Sequence, residues 1–120
     1  MTGFAIFGHG SVVESANDAV RAAAGRFAVE GGYDLVEASF LELGKPDLPT
    51  AAETLISRGA TRIVVVPYFL TSGKHLKVDL PRIVAGIQGI HPGMEITVTE
   101  PLDGHPALAS ILIDRARSAV

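Results

Sequence analysis

Two histidines follow apolar, strand-like runs, and they are the residues of this chain best suited to chemistry. His9 comes after the apolar run at 4–7, and His75 comes after the longer run at 63–70. The carboxyl ends of parallel strands meet at one edge of a sheet, where ligands of open α/β sheets bind. Imidazole binds divalent metals and changes its protonation between about pH 5 and 8. The spacing therefore predicts a metal or proton-transfer site at one sheet edge.

The elements that must position these histidines follow from the hydrophobic pattern. Strand-length apolar runs alternate with helical periodicity, which indicates successive βα units. The predicted strands are at about 3–8, 33–40, 61–67 and 95–100. The helix after the third strand is expected to begin near Asp79, with Pro81 in its first turn. The last helix is expected after His105, with Leu108, Ile111 and Leu112 as its apolar stripe.

The order of the strands follows from their polarity. Strands one and three are apolar throughout, as central strands are, whereas strands two and four carry polar residues, as edge strands do. These polar residues are Asp34, Glu37, Thr97 and Thr99. The fold class is therefore α/β: a four-stranded parallel sheet of order 2-1-3-4 with helices on both faces, a three-layer sandwich. Residues 1–120 are expected to form a single domain.

The composition excludes several classes of function. A net charge of −3, with acids and bases interspersed, argues against a nucleic-acid partner. The chain has no cysteine, so histidine and carboxylate are the strong metal ligands that remain. No apolar run approaches the roughly 20 residues that a membrane span needs. A cytoplasmic protein with no membrane partner is expected.

The segment that carries His75 is predicted to be a loop at about 69–78. Its length exceeds the usual two to six residues of such a connection, and long loops are commonly functional. Lysines and hydroxyls at this edge would suit an anionic substrate. The candidate substrate-binding residues are Ser11, Thr71, Ser72, Lys74 and Lys77.

Glu42 is the candidate for a third group beside the two imidazoles. It follows strand two and so shares their edge, as a metal ligand or a proton acceptor. Glu37 competes for this role but lies inside the predicted strand, where a side chain at an edge points to solvent. His91 lies at the opposite edge and His105 is interpreted as a helix cap, so neither is expected to bind metal.

These residues resemble the short sirohydrochlorin chelatases of the CbiX type. The resemblance runs nearly end to end. It lies in Gly-His-Gly-Ser at 8–11, in Phe-Leu-Glu at 40–42 with Pro46, and in the segment 66–81, which includes Val-Pro-Tyr-Phe-Leu and His75. Val12 stands where many relatives carry arginine, and the histidine-rich tail of some short members is absent.

The resemblance implies a chelatase-like half unit that inserts Co²⁺ or Fe²⁺, in some members Ni²⁺, into sirohydrochlorin. His9 and His75 would be the metal-handling pair, with Glu42 assisting catalysis, and the metal would be a substrate rather than a permanently bound cofactor. This chemistry suits few, neutral and exchangeable ligands, because a four-ligand cage would retain the metal.

Two other classes of function compete with this hypothesis. A non-catalytic metal or tetrapyrrole carrier would use the same ligand atoms. Phosphoryl transfer with His9 as nucleophile would need a guanidinium beside it, but Phe7 and Gly8 precede the histidine. The native metal and the pathway are left open by the sequence.

A homodimer is the expected assembly. One four-stranded unit offers an open edge rather than the enclosing cleft that small-molecule sites prefer. The larger chelatases look like two such units fused, and a two-fold pair is the commonest way to supply a second half. The candidates for the core of the interface, or for stacking against the macrocycle, are Tyr68, Phe69, Leu70 and Leu76.

Overall fold

Strands and helices alternate along the whole chain. The computed structural model describes residues 1–74 and 76–120, and the side chain of His75 lies outside this description. The elements are β1 (Thr2–Gly8), α1 (Glu14–Gly31), β2 (Val36–Phe40), α2 (Leu48–Ser57), β3 (Arg62–Pro67), α3 (Lys74–Ile90), β4 (Glu95–Val98) and α4 (Ala107–Arg117). Strand β2 is shorter than predicted and begins at Val36.

The four strands form one parallel sheet in the order β2-β1-β3-β4. The predicted order is therefore confirmed. In register, Ile6 of β1 pairs with Ala38 of β2 on one side and with Val66 of β3 on the other. The apolar sequences of β1 and β3 place them at the centre of the sheet, because a strand with two neighbours is screened from water along both edges.

The two faces of the sheet carry separate cores. Ala5 and Phe7 of β1 are fully buried beneath α2 and α3, whereas Ile6 points to the other face and packs with Val20 and Ala24 of α1. This alternation is the period of two of a β-strand. The helices α1 to α3 thus flank the sheet on both sides.

Helix α2 begins at Leu48, directly after its capping residue Asp47. The Asp47 carboxylate accepts a hydrogen bond from the Thr50 amide at 2.8 Å, and Pro49 lies in the first turn. Hydrogen bonds from Thr50 hold the pKa of Asp47 below its usual value. The bond from the Thr50 side chain has the larger effect and the bond from its backbone amide the smaller. The cap satisfies one of the backbone donors that every helix start leaves without a partner.

Helix α3 begins at Lys74, so the predicted loop at 69–78 and the helix start near Asp79 are wrong. Leu76 and Leu80 are buried and extend the apolar stripe of α3 back by two turns. Their burial favours the helix by roughly 1.5–3 kcal/mol each. That gain offsets the roughly 3 kcal/mol that a proline such as Pro81 costs inside a helix. Leu76 is thereby also removed from the predicted interface.

Helix α4 lies where the sequence predicts, but its apolar residues are not covered. Ile111 is 53% exposed and Leu112 is 69% exposed. In the described part of the chain, α4 makes no extensive contact with a strand or with another helix. Among the described helices, none combines the length and the apolarity needed to cross a membrane.

Candidate functional site

The loops after β1 and β2 run side by side at the carboxyl edge of the sheet. The Leu41 amide donates to the Gly8 carbonyl at 3.0 Å, and the Glu42 amide donates to the His9 carbonyl at 3.1 Å. His9 and Glu42 are both exposed. The backbone therefore places these two predicted residues next to each other and leaves both side chains open to a substrate.

Gly10 makes this close approach possible. Its φ is +96°, and a Cβ at this position would lie 1.5 Å from the Glu42 carbonyl oxygen. Only glycine adopts that backbone conformation readily and leaves that space. The glycine after His9 thus joins the first loop tightly to the second.

Asn17 holds the same two loops from beneath, and sequence reasoning missed it. Its side chain is buried, accepts from the Ser11 amide at 2.9 Å, and donates to the Ser11 carbonyl at 2.9 Å and to the Leu43 carbonyl at 3.1 Å. A buried amide with all its bonds made fixes its partners strongly, because breaking one leaves a polar group without water. The available signal was the helical spacing of Asn17 with Val20 and Ala24, which places it on the buried face of α1.

Arg21 forms a second connection between α1 and the loop after β2. Its guanidinium donates to the Lys45 carbonyl at 2.8 Å and pairs with Glu14 at 2.6 Å and Asp18 at 2.8 Å. The hydrogen bond from Arg21 lowers the pKa of Glu14. The loop that carries Glu42 is thus tied to α1 at two points.

Ser11 has a structural role in addition to the predicted contact with substrate. Its hydroxyl accepts from the Val13 amide at 3.0 Å, which closes the turn into α1. Its binding of substrate stays a prediction.

The loops after β3 and β4 also lie at the carboxyl edge and are hydrogen-bonded to their neighbours. The Tyr68 amide donates to the Phe7 carbonyl at 2.7 Å, and the Leu102 amide donates to the Phe69 carbonyl at 3.2 Å. Tyr68 and Leu70 are exposed at this edge, whereas Phe69 is half-buried and packs edge-on against Phe7, with 6.3 Å between the ring centroids. All four carboxyl-edge loops are therefore joined by hydrogen bonds in strand order.

The start of α3 makes this edge electropositive. Lys74 and Lys77 are exposed in the first turn of α3, which contains no acidic residue. The amides of a helix start already favour anions, and the two ammonium groups add to that field. Thr71 is exposed and Ser72 is half-exposed just before the helix. The predicted substrate-binding residues after β3 thus gather at one positive helix end.

The metal ligands are only partly defined. Position 75 falls in the first turn of α3, but its side chain lies outside the described part, so the pairing of His9 with His75 stays a prediction. Within residues 1–74 and 76–120, no three His, Asp or Glu side chains gather to hold a metal ion. Glu37 forms an ion pair with Arg58 at 3.7 Å, which favours Glu42 as the assisting carboxylate.

The other two histidines have structural partners. His91, at the end of α3, pairs with Glu53 of α2. The His105 ring accepts from the Ala107 amide at 3.0 Å and so caps α4. Both histidines therefore bond within the fold, and the expectation that neither binds the metal stays a prediction.

Comparison with known proteins identifies the family. The family model named CbiX matches residues 3–119. The chain belongs to the CbiX family. A CbiX relative, the sirohydrochlorin cobaltochelatase of Methanothermobacter thermautotrophicus, is 31% identical over 98% of this chain and 92% of its own length. The chloroplastic sirohydrochlorin ferrochelatase of Arabidopsis thaliana is 32% identical over 94% of this chain and 50% of its own length.

A solved structure agrees with this membership of the CbiX family. The sirohydrochlorin chelatase SirB from Bacillus subtilis subspecies spizizenii, in complex with cobalt, superposes with a TM-score of 0.90 at 28% identity. The match covers 98% of this chain and 50% of that chain. This chain thus has the fold of about half of that larger chelatase.

Proposed function

We propose that this protein inserts a divalent metal ion, Co²⁺, Fe²⁺ or Ni²⁺, into sirohydrochlorin. The observation that carries the proposal is His9, exposed between two glycines at the carboxyl edge, in a chain that matches the CbiX family from residue 3 to residue 119. Relatives in this family are named as cobaltochelatase and ferrochelatase of sirohydrochlorin.

The reaction removes two protons from the macrocycle for each metal ion that enters. His9 binds the incoming ion through a neutral ring nitrogen, and His75 is the second ligand. A pair of imidazoles holds Co²⁺, Fe²⁺ or Ni²⁺ without the closed cage that would prevent release. Glu42, beside His9, accepts one of the two protons displaced from the pyrrole nitrogens, and the other passes to the water that reaches this exposed edge.

The substrate is held by its carboxylates. Lys74 and Lys77 at the start of α3 attract these groups, and the hydroxyls of Thr71, Ser72 and Ser11 donate hydrogen bonds to them. The exposed rims of Tyr68 and Leu70 offer apolar contact for the macrocycle. This set of contacts orients the ring over the His9 edge.

Residues 1–120 act as one chelatase-like domain in this proposal, and two copies form a homodimer. The edge that carries His9 is open on one side, and enclosing a tetrapyrrole requires a second protein surface opposite this edge. A match to about half of the cobalt-bound SirB chain supports a paired arrangement. A cytoplasmic location remains a prediction.

Multiple turnover tests the reaction. Metal-free sirohydrochlorin in tenfold or greater excess over protein, supplied with Co²⁺, Fe²⁺ or Ni²⁺, is expected to be converted completely, at a rate above the spontaneous one. The absorption spectrum of the macrocycle reports insertion. Conversion that stops at one equivalent per protein would contradict the proposal and identify a carrier instead.

A further inference from the structure

We infer that Leu43 is a substrate-binding residue whose side chain contacts the apolar ring of the macrocycle beside Glu42. The inference rests on the proposed function, because the macrocycle is the substrate of the proposed reaction. It starts from a feature that the proposed reaction does not use. Leu43 has an unfavourable backbone conformation, and its side chain lies largely outside the fold.

The backbone of Leu43 is in the left-handed region, with φ at +58°. Residues with a Cβ rarely adopt this conformation, and among them asparagine and aspartate tolerate it best. Within residues 1–74 and 76–120, the other five positions of positive φ are all occupied by glycine: Gly10, Gly32, Gly59, Gly93 and Gly104. Glycine would also form the turn at position 43 more easily than leucine, so the leucine side chain needs a separate explanation.

Packing within the fold does not supply that explanation. The Leu43 side chain is 58% exposed, and it belongs to neither of the buried clusters described on the two faces of the sheet. A leucine that stays exposed gains little of the free energy that burial provides. The contact that favours leucine at this position therefore lies outside the folded chain.

The residues around Leu43 hold it in the left-handed conformation. The buried side-chain amide of Asn17 donates to the Leu43 carbonyl at 3.1 Å. The next residue, Gly44, lies against the Phe40 ring, and a Cβ on Gly44 would come within 2.8 Å of a ring carbon. Strained residues persist where the surrounding structure fixes them in this way, and they cluster at functional sites. The Leu43 side chain is thus presented at a fixed position.

Leu43 lies beside the residues that are proposed to perform the chemistry. It follows Glu42 directly, and the Glu42 amide donates to the His9 carbonyl at 3.1 Å. The strand order β2-β1-β3 places the loop after β2 on one side of the His9 loop and the loop after β3 on the other. Leu43 and the start of α3 therefore flank His9 from opposite sides.

The macrocycle has the shape and the polarity to contact both sides at once. A tetrapyrrole has an apolar conjugated ring and carboxylates around its periphery. Neighbouring strands are about 4.8 Å apart, so the loops after β2 and β3 are separated by about 10 Å, which a ring of four pyrroles spans. With its carboxylates at the exposed Lys74 and Lys77, the ring covers His9 and its far side reaches Leu43.

This contact affects binding more than the chemical step. Leu43 touches the ring both before and after the metal enters, so it stabilises the bound substrate and the transition state to a similar extent. An interaction of that kind lowers KM and leaves kcat almost unchanged. The proton acceptor Glu42 and the ligand His9 would instead affect kcat.

Leu43→Asn and Leu43→Gly test the contact, because both residues accept the left-handed conformation and neither has an apolar side chain. We expect the dissociation constant of metal-free sirohydrochlorin, measured by the fluorescence of the macrocycle, to rise about tenfold. KM should rise in parallel, with kcat within about twofold of the wild-type value. Leu43→Met keeps an apolar side chain of similar volume and should bind like the wild type. Unchanged binding in Leu43→Asn would refute the contact.

Thermal unfolding separates the contact from a role in stability. Leu43→Gly should unfold at a midpoint no lower than that of the wild type, because glycine relieves the unfavourable φ. A lower midpoint would show that the side chain supports the fold and would contradict the inference. Val29→Asn, at an apolar position near the end of α1 that is 83% exposed, is the control for binding and should have no effect. An equal loss of binding in this control would also contradict the inference.

Light scattering distinguishes the macrocycle from a second copy of the chain as the group that Leu43 contacts. Wild-type protein and Leu43→Asn are expected to have the same mass at every concentration of a dilution series. Dissociation of Leu43→Asn where the wild type stays paired would assign Leu43 to an interface between copies and overturn the inference.

The outcome is separable from that of the proposed reaction. Wild-type turnover with an unchanged KM in Leu43→Asn would refute the contact and leave the reaction intact. Wild-type protein that binds sirohydrochlorin more tightly than Leu43→Asn but inserts no metal would refute the reaction and leave the contact intact. Wild-type protein that binds no sirohydrochlorin would refute both.

Discussion

At the residue scale, the site depends on backbone contacts that leave side chains free. The Glu42 amide donates a hydrogen bond to the His9 carbonyl at 3.1 Å, so the backbone holds these loops together without using either side chain. Asn17 takes over that task from inside the fold. This division keeps the imidazole available for an ion that must bind and leave.

His9→Ala is expected to reduce metal insertion severely while the fold persists, because the ring is exposed and contributes little to the core. His75→Ala is expected to do the same if it is the second ligand, and Glu42→Gln should have a milder effect. Insertion rates with circular dichroism in parallel check this. His91→Ala is the matched control, since His91 pairs with Glu53 away from the site. Full activity in His9→Ala would refute its role.

The insertion rate is expected to fall as the pH drops from about 8 to 5. Protonated imidazole can neither bind a cation nor accept a proton, and it is the neutral form that is lost over this range. Rates corrected for the uncatalysed reaction at each pH provide the measurement. A flat profile would argue against imidazole chemistry.

Asn17→Leu is expected to lower both stability and insertion. The replacement leaves the Ser11 and Leu43 backbone groups without partners, at a cost of roughly 1–3 kcal/mol for each group that stays buried. Thermal unfolding and insertion rates are measured together. Leu55→Ala, in the core on the other face, is the control: it should destabilise the fold yet retain activity at temperatures where the protein is folded. Equal activity losses in both variants would count against a positioning role for Asn17.

At the scale of elements, the ends of helices decide where the functional groups lie. Asp47 starts α2, and Lys74 starts α3 at the edge of the site. The early start of α3 turns a predicted loop into a positive helix end. A helix start orients its amides more rigidly than a loop of the same length would, which suits the carboxylates of the substrate.

Asp47→Ala is expected to lower the free energy of unfolding by roughly 0.5–2 kcal/mol at pH 7, the usual effect of losing such a cap. The pKa of Asp47 is lowered in the folded state. Its contribution is therefore present above the unfolded value of about 3.9 and is lost as the pH falls through the folded value. Denaturant unfolding at pH 7 and near pH 3 measures the difference, which should shrink at low pH. Asp47→Asn keeps an acceptor without the charge, and its deficit should vary less with pH.

At the scale of the whole molecule, the chain is more extended than a compact domain. Its radius of gyration is 15.0 Å, against roughly 13.6 Å for a compact chain of this length. Helix α4, which makes no extensive contact with the sheet, is consistent with this extension. An assembly of two chains would restore compactness and close the site in one step.

Specific insertion activity is therefore expected to fall when the protein is diluted below the concentration at which the dimer dissociates. A single chain has one open edge, and in the proposed homodimer the second copy would enclose the substrate. Activity per chain and the mass from light scattering are followed over the same dilution series. Constant activity per chain through complete dissociation would contradict the requirement for two copies.

Much of the fold and part of the site could be predicted from local patterns. The apolar runs of β1 and β3 determined the strand order, and the glycines around His9 determined its exposed turn, because alternation and backbone sterics act over a few residues. The family likeness likewise depends on short motifs such as those at 8–11 and 66–70. Asp47 followed by Pro49 is likewise a local pattern that is typical of a helix start.

Only the tertiary structure decided the start of α3, the role of Asn17 and the exposure of α4. Burial of Leu76 and Leu80 outweighs the local signal of Pro81, and that burial exists only once α3 packs on the sheet. Asn17 bonds to Leu43, which is distant in sequence and adjacent in space. The sequence predicts the apolar stripe of α4, but the position of the helix relative to the sheet depends on the hydrogen bonds that hold the preceding loop. Contacts between distant segments have no local signature, because their free energy arises only when the chain has folded.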